Sequence, residues 1–176
     1  MLRAIHDRYA PTWYHTLTFV QKTTVTRTAA DTLIQTWYEA GEIPGKLRID
    51  TDLRNRGGVL YARDSTYSFS NGKLVRADSG YNELLVLGFD IYAQPAGTSI
   101  RVLEHLGFNL KEMHETTWRG APVYVVGAAR GDTLSKQFWI TRDDLLFVRE
   151  ISPGRRGRAE FRFDKYMKSG GGWVAA

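Results

Sequence analysis

From Trp13 onward, apolar and polar residues alternate with period two over long stretches rich in Thr, Val, Ile, Phe, Tyr and Trp. That pattern predicts strands, because successive side chains on a strand point to opposite faces. Trp13 to Arg27 reads as one long strand and Leu33 to Ala40 as the next, followed by the turn residues Gly41-Glu42-Ile43-Pro44-Gly45. Lys46-Leu47-Arg48-Ile49-Asp50 alternates strictly, so Leu47 and Ile49 face inward while Lys46, Arg48 and Asp50 face water. Gly58 to Arg63, Ser65 to Ser70 and Lys73 to Arg76 continue the series, and Asn71-Gly72 is a strong two-residue hairpin signal.

The period changes in mid-chain. Tyr81 to Tyr92 and Thr98 to Leu106 read as helices, the second with Ile100, Leu103 and Leu106 near one face and Gly107 as its C-terminal cap. At the start of the chain, Leu2, Ile5 and Tyr9 fall near one face of a short amphipathic helix that Pro11 ends. Strands resume at Met113 to Arg119, Val123 to Ala128, Lys136 to Thr141, Leu145 to Ile151 and Arg158 to Lys168, and a last one begins near Trp173. Helices at the start and in the middle of a run of strands argue against alternating βαβ units. The fold class expected is α+β: an antiparallel, unclosed half β-barrel of about ten or eleven strands, with an N-terminal helix and a mid-chain helical lid.

Composition narrows the class. The 176 residues are 43% apolar and 24% charged, enough apolar surface for a packed core and the length of one domain, taken as 1–176. With 24 Lys+Arg against 19 Asp+Glu, the net charge of +5 favours anionic surfaces without requiring nucleic acid. The absence of cysteine removes disulfides, thiolate zinc sites, a cysteine nucleophile and a lipidated cysteine anchor. Residues Met1 to Pro11 hold no apolar stretch of signal-peptide length, and the longest apolar run, Leu84 to Phe89, stops at Asp90, far short of the ~20 residues of a spanning helix. A soluble chain that does not span the membrane is expected.

Catalytic chemistry is hard to find. His6, His15, His105 and His114 lack metal-ligand spacing, and no nucleophile elbow, Walker loop or dinucleotide motif occurs. Asp143-Asp144 sits where a hairpin turn favours Asp, and Gly170-Gly171-Gly172 lacks a phosphate-binding context. The loop Gly154-Arg155-Arg156-Gly157-Arg158 reads as solvated, without the aromatic neighbours that base stacking needs. No catalytic residue, metal or cofactor is assigned, and no nucleic acid is expected as a partner. What stands out is the load of large apolar side chains on alternating strand positions: Phe19, Trp37, Leu47, Ile49, Tyr61, Phe69, Trp139, Phe147, Phe161 and Phe163. In a closed barrel these are an ordinary core; in an open sheet with helices across its mouth they line a cavity.

The segments TWYEAGEIPGKLRID (36–50), GGVLYARDSTYSFSNGKLV (57–75), LLVLGFDIY (84–92), WRGAPVYVVGA (118–128), QFWITRDDLLFVRE (137–150) and FDKYMKSGGGWVA (163–175) together resemble bacterial outer-membrane lipoprotein-sorting proteins, the LolA-like and LolB-like lipoprotein carriers. The resemblance covers nearly the whole chain. It implies a periplasmic carrier that holds lipoprotein acyl chains or a related lipid in an apolar cavity, with donor and acceptor sorting proteins at the two membranes as partners. The stretch containing Leu84, Leu85 and Leu87 would be a lid that partly fills the empty cavity and moves aside for ligand. The lack of cysteine departs from the anchored LolB-like pattern, and the family's C-terminal end is expected to be missing beyond Ala176. A lipid- or lipoprotein-sensing regulatory domain of the same shape is the alternative reading.

Overall fold

The computed structural model describes residues 1–28, 31–54, 56–154 and 157–175. Two compact units are present: Tyr14–Ala93, and Met1–Trp13 together with Gln94–Ala176.

The first unit is a six-stranded antiparallel meander, β1 (Thr16–Thr28), β2 (Asp31–Glu42), β3 (Lys46–Asp52), β4 (Gly57–Ala62), β5 (Ser65–Ser70) and β6 (Lys73–Ser79), paired in chain order. Sequential antiparallel pairing is what short turns permit, and the sheet stays open because β1 and β6 each have one neighbour. Asn71 and Gly72 both take positive φ, 51° and 71°, the geometry that the right-handed strand twist demands of a two-residue hairpin. Gly58 sits opposite Asp50, and a Cβ there would run into the Ile49 carbonyl, so glycine lets β3 and β4 approach.

The expected helix over Tyr81 to Tyr92 is broken into three pieces. Residues Glu83–Leu85 form one helical turn (α2), Val86–Asp90 widen to a π-helical turn, and Ile91–Ala93 (α3) return to α geometry. Asn82 caps the start, its Oδ1 accepting the Leu85 N–H at 2.9 Å. Leu85, Val86, Leu87, Gly88, Asp90, Ile91 and Tyr92 are all buried. A segment buried nearly all round has no single apolar stripe to hold its phase, and Gly88 adds no side chain to resist the extra residue in the turn.

The second unit holds α1 (Leu2–Tyr9) and α4 (Ala96–His105), which pack together, with a five-stranded antiparallel sheet. Its strands are β7 (Met113–Trp118), β8 (Ala121–Val126), β9 (Gln137–Thr141), β10 (Phe147–Gly154) and β11 (Gly157–Arg162), again in chain order. As the sequence pattern predicts, α1 buries Leu2, Ile5 and Tyr9. The expected strand Arg158 to Lys168 ends instead at Arg162. Lys165 turns the chain with φ 51°, the Tyr166 hydroxyl donates to the Phe147 carbonyl at 2.6 Å, and β12 (Met167–Ser169) pairs with β13 (Gly172–Val174) as a separate hairpin. The strands therefore number thirteen among the described residues rather than ten or eleven, and neither large sheet closes on itself.

Candidate functional site

Strand register assembles one apolar face of the six-stranded sheet. Phe19, Glu39, Ile49 and Val59 lie directly across from one another on β1 to β4; Leu17, Gly41, Leu47 and Tyr61 form the adjoining row, with Gln21 and Trp37 beyond. Residues opposite one another in an antiparallel pair share a face. The segment 83–93 covers it: the Phe89 ring stacks on Phe19 with centroids 6.5 Å apart, and Asp90 Oδ1 accepts the Gly45 N–H at 2.9 Å. Within the segment Leu85 and Leu87 are buried and Leu84 is half-buried.

Five of the residues singled out from the sequence, Phe19, Trp37, Leu47, Ile49 and Tyr61, thus share the covered face, with Leu84, Leu85 and Leu87 on the segment that covers it. Phe69 is a correction. It pairs with Gly58, which pairs with Asp50, and its ring lies 4.5 Å from the Arg48 guanidinium, so it points to the opposite face. The alternation Thr66-Tyr67-Ser68-Phe69 fixes that Tyr67 and Phe69 go together, but only the pairing with β4 decides to which side.

Two carboxyls that the sequence reading passed over belong to this face. Glu39 is 6% exposed, sits between Phe19 and Ile49, and its Oε1 has no hydrogen-bond partner among the described residues. Burial pushes its carboxyl up to about 7. Asp90 is 4% exposed and is likewise pushed up to about 7 by burial, the Gly45 N–H opposing the shift. The signal for Glu39 was present in the chain as a charged residue at an inward parity, in the series Trp37, Glu39, Gly41.

The other predicted lining residues fall in the second unit. Trp139 shares a face of the five-stranded sheet with Trp118, the rings meeting edge to face at 5.3 Å, and the Arg149 guanidinium lies 4.2 Å and 4.4 Å from the two ring centroids. Glu160 completes this cluster, accepting from Arg149 at 2.8 Å and Arg162 at 2.6 Å and pairing with Arg158 at 3.1 Å. Hydrogen bonds from the arginines hold its carboxyl down at about 2. Phe147 is fully buried and packs on Phe163 with centroids 5.0 Å apart, while Phe161, opposite Glu150, is 44% exposed. A role for Phe161 as a buried wall does not fit that exposure.

Asp143 and Asp144 occupy the turn before β10, where the Asp143 carbonyl accepts from Arg8 at 2.6 Å and the Asp144 carbonyl from the Tyr9 hydroxyl. His114 Nδ1 lies 3.1 Å from the Ala128 carbonyl and His6 beside Asp7. Arg155 and Arg156 of the basic loop lie outside the described residues. No helix among the described residues is long and apolar enough to cross a membrane.

No family model matches the chain, and no curated protein matches it. Among solved structures, a LolA superfamily protein from Nitrosomonas europaea superposes with a TM-score of 0.52 and 12% identity, covering 99% of this chain and 82% of the other. The fold is therefore LolA-like. A complex of the CwlD amidase with the GerS lipoprotein from Clostridioides difficile is similar only at a TM-score of 0.36 and 9% identity, over 89% of this chain and 88% of the other.

Proposed function

We propose that the protein is a non-enzymatic carrier whose covered sheet face binds the acyl chains of a lipoprotein or a related lipid and passes them toward the outer membrane. The observation that supports this reading is that Phe19, Trp37, Leu47, Ile49 and Tyr61 share one face of the sheet, on which Phe89 of a short helical segment with a π turn stacks against Phe19. An apolar face of this kind needs little polar machinery to hold an alkyl chain. Burying a methylene stabilises by about 0.8 kcal/mol, so a ~16-carbon chain offers roughly 12 kcal/mol before ordering costs. The segment 83–93 is suited to moving aside: its contacts with the sheet include the Phe89–Phe19 ring pair and the Asp90–Gly45 hydrogen bond, both of them non-covalent.

A periplasmic setting, with donor and acceptor proteins at the two membranes, belongs to the same proposal, and the LolA-like fold supports it. Native mass spectrometry of the purified protein tests it. Stoichiometric co-purified lipid, or displacement of a fluorescent alkyl reporter without a free carboxylate by unlabelled alkyl chains, is the expected result. A lipid-free protein that also fails to bind the fluorescent alkyl reporter overturns it.

A further inference from the structure

Glu39 is out of place on a face built to meet hydrocarbon. It stands in the middle row of the sheet, with Phe19 on one side and Ile49 on the other, and the neighbouring row presents Leu17, Gly41 and Leu47. Leaving a buried acceptor without a donor is destabilising relative to a satisfied one, so a carboxylate oxygen at 6% exposure with no partner among the described residues marks a place where a donor from outside belongs. Among the described residues no ion pair reaches it: Lys46 is held by Glu42 and Arg48 by Asp50. On the covering segment the charged residues are the acids Glu83 and Asp90, and Asp90 is already engaged by the Gly45 N–H. Arg76, at the far edge on β6, is paired with Asp78 at 2.5 Å. A carboxyl among apolar side chains, with acids on the covering element and no base paired to it among the described residues, selects for a positively polarised group.

Resting on the carrier reading, we infer that the cargo of this face bears a nitrogen-bound hydrogen-bond donor, an ammonium or amide N–H next to its alkyl chain, and that Glu39 receives it. The ligand class is thereby narrowed from lipids in general to aminated or N-acylated ones, and free fatty acids, whose carboxylate would meet another carboxyl, become poor ligands. The alkyl part supplies affinity through burial and the N–H supplies selection, because a charge-assisted hydrogen bond in an apolar site is stronger than its counterpart in water.

The test compares three probes of one chain length, dodecylamine, methyl dodecanoate and dodecanoate, by competition against a fluorescent alkyl reporter at pH 8. The expected order is amine, then ester, then carboxylate, with the amine bound about tenfold or more tighter than the ester. In Glu39→Gln, which keeps the shape and removes the charge, amine and ester should bind within about threefold of each other while ester affinity is retained. Glu39→Leu serves in the same role if the glutamine variant does not fold. Equal binding of amine and ester by the unaltered protein overturns the inference whatever the variants do, and leaves the carrier reading standing. An amine preference that survives both substitutions also overturns it. Failure of every alkyl probe to bind overturns the carrier reading and this inference with it.

Discussion

The Asp90 carboxyl accepts the backbone N–H of Gly45 at 2.9 Å, tying the covering segment to the turn between β2 and β3. Removing the acceptor leaves a buried N–H without a partner, so Asp90→Ala should destabilise the protein by about 1–3 kcal/mol. Asp90→Asn keeps an oxygen for the same bond and removes a carboxyl whose ionisation burial opposes, so it should match or exceed the unaltered protein at pH 8. Urea unfolding of the two variants separates the cases; equal losses in both would show that this hydrogen bond contributes nothing.

Stability should also depend on pH with a definite sign. Burial raises Glu39 from 4.5 and Asp90 from 3.8 to about 7, so both hold a proton more tightly folded than unfolded. Their contribution is fully present below the unfolded values and is lost as pH rises toward about 7. Glu160 runs the other way. Held down from 4.5 to about 2, it contributes above its unfolded value and that contribution disappears as pH falls toward about 2. Melting temperature should therefore peak at about pH 4–5 and decline on both sides. Glu39→Gln and Asp90→Asn should each flatten the alkaline side, and a profile level from about pH 5 to 8 in the unaltered protein would contradict the burial of these two carboxyls.

Arg149 is 8% exposed and is held between the Trp118 and Trp139 rings with Glu160 at its edge. Arg149→Ala should cost about 2 kcal/mol, from two lost cation–π contacts and the packing of the side chain's stem. The loss stays below the ~3–5 kcal/mol typical of a broken buried pair because Glu160 keeps Arg158 and Arg162. Arg158→Ala, removing an exposed partner, should stay within about 0.5 kcal/mol of the unaltered protein. Unfolding followed by tryptophan fluorescence reads both variants, and comparable losses would remove the stacked arginine from any special role.

Gly127 directly follows β8 with φ 103°, and a Cβ there would collide with the Lys136 carbonyl. Gly127→Ala should lower stability by more than about 1 kcal/mol through combined backbone strain and steric conflict. Gly131, with φ 87° but open space around it, isolates the backbone part: Gly131→Ala should cost about 1 kcal/mol. Thermal melts that rank the two in the opposite order would refute the steric argument.

The covering segment offers a direct test of ligand access. Leu85→Asp introduces a charge at a position that is 3% exposed, which should abolish alkyl-probe binding and loosen the segment while the strand signal in circular dichroism persists. Unchanged binding would take the segment out of the carrier mechanism.

Much of this architecture is written into local pattern. Period-two alternation, the Asn71-Gly72 turn and the short connections are enough to specify an antiparallel meander, and the spacing of Leu2, Ile5 and Tyr9 is enough for α1, because each depends only on neighbours a few residues away. Alternation also groups Phe19 with Leu17, and Leu47 with Ile49. It cannot say which parity is covered in β4, where Val59 and Tyr61 alternate with Leu60 and Ala62 and both faces are apolar. Cross-strand register resolves that, and sends Phe69 to the side of Arg48. The π turn at Val86–Asp90, the seat of Arg149 between two tryptophans and the isolation of Glu39 are likewise decided by tertiary structure. Each is a matter of what faces a side chain across space, and hydrophobic periodicity carries the direction of a side chain but not the identity of what it meets.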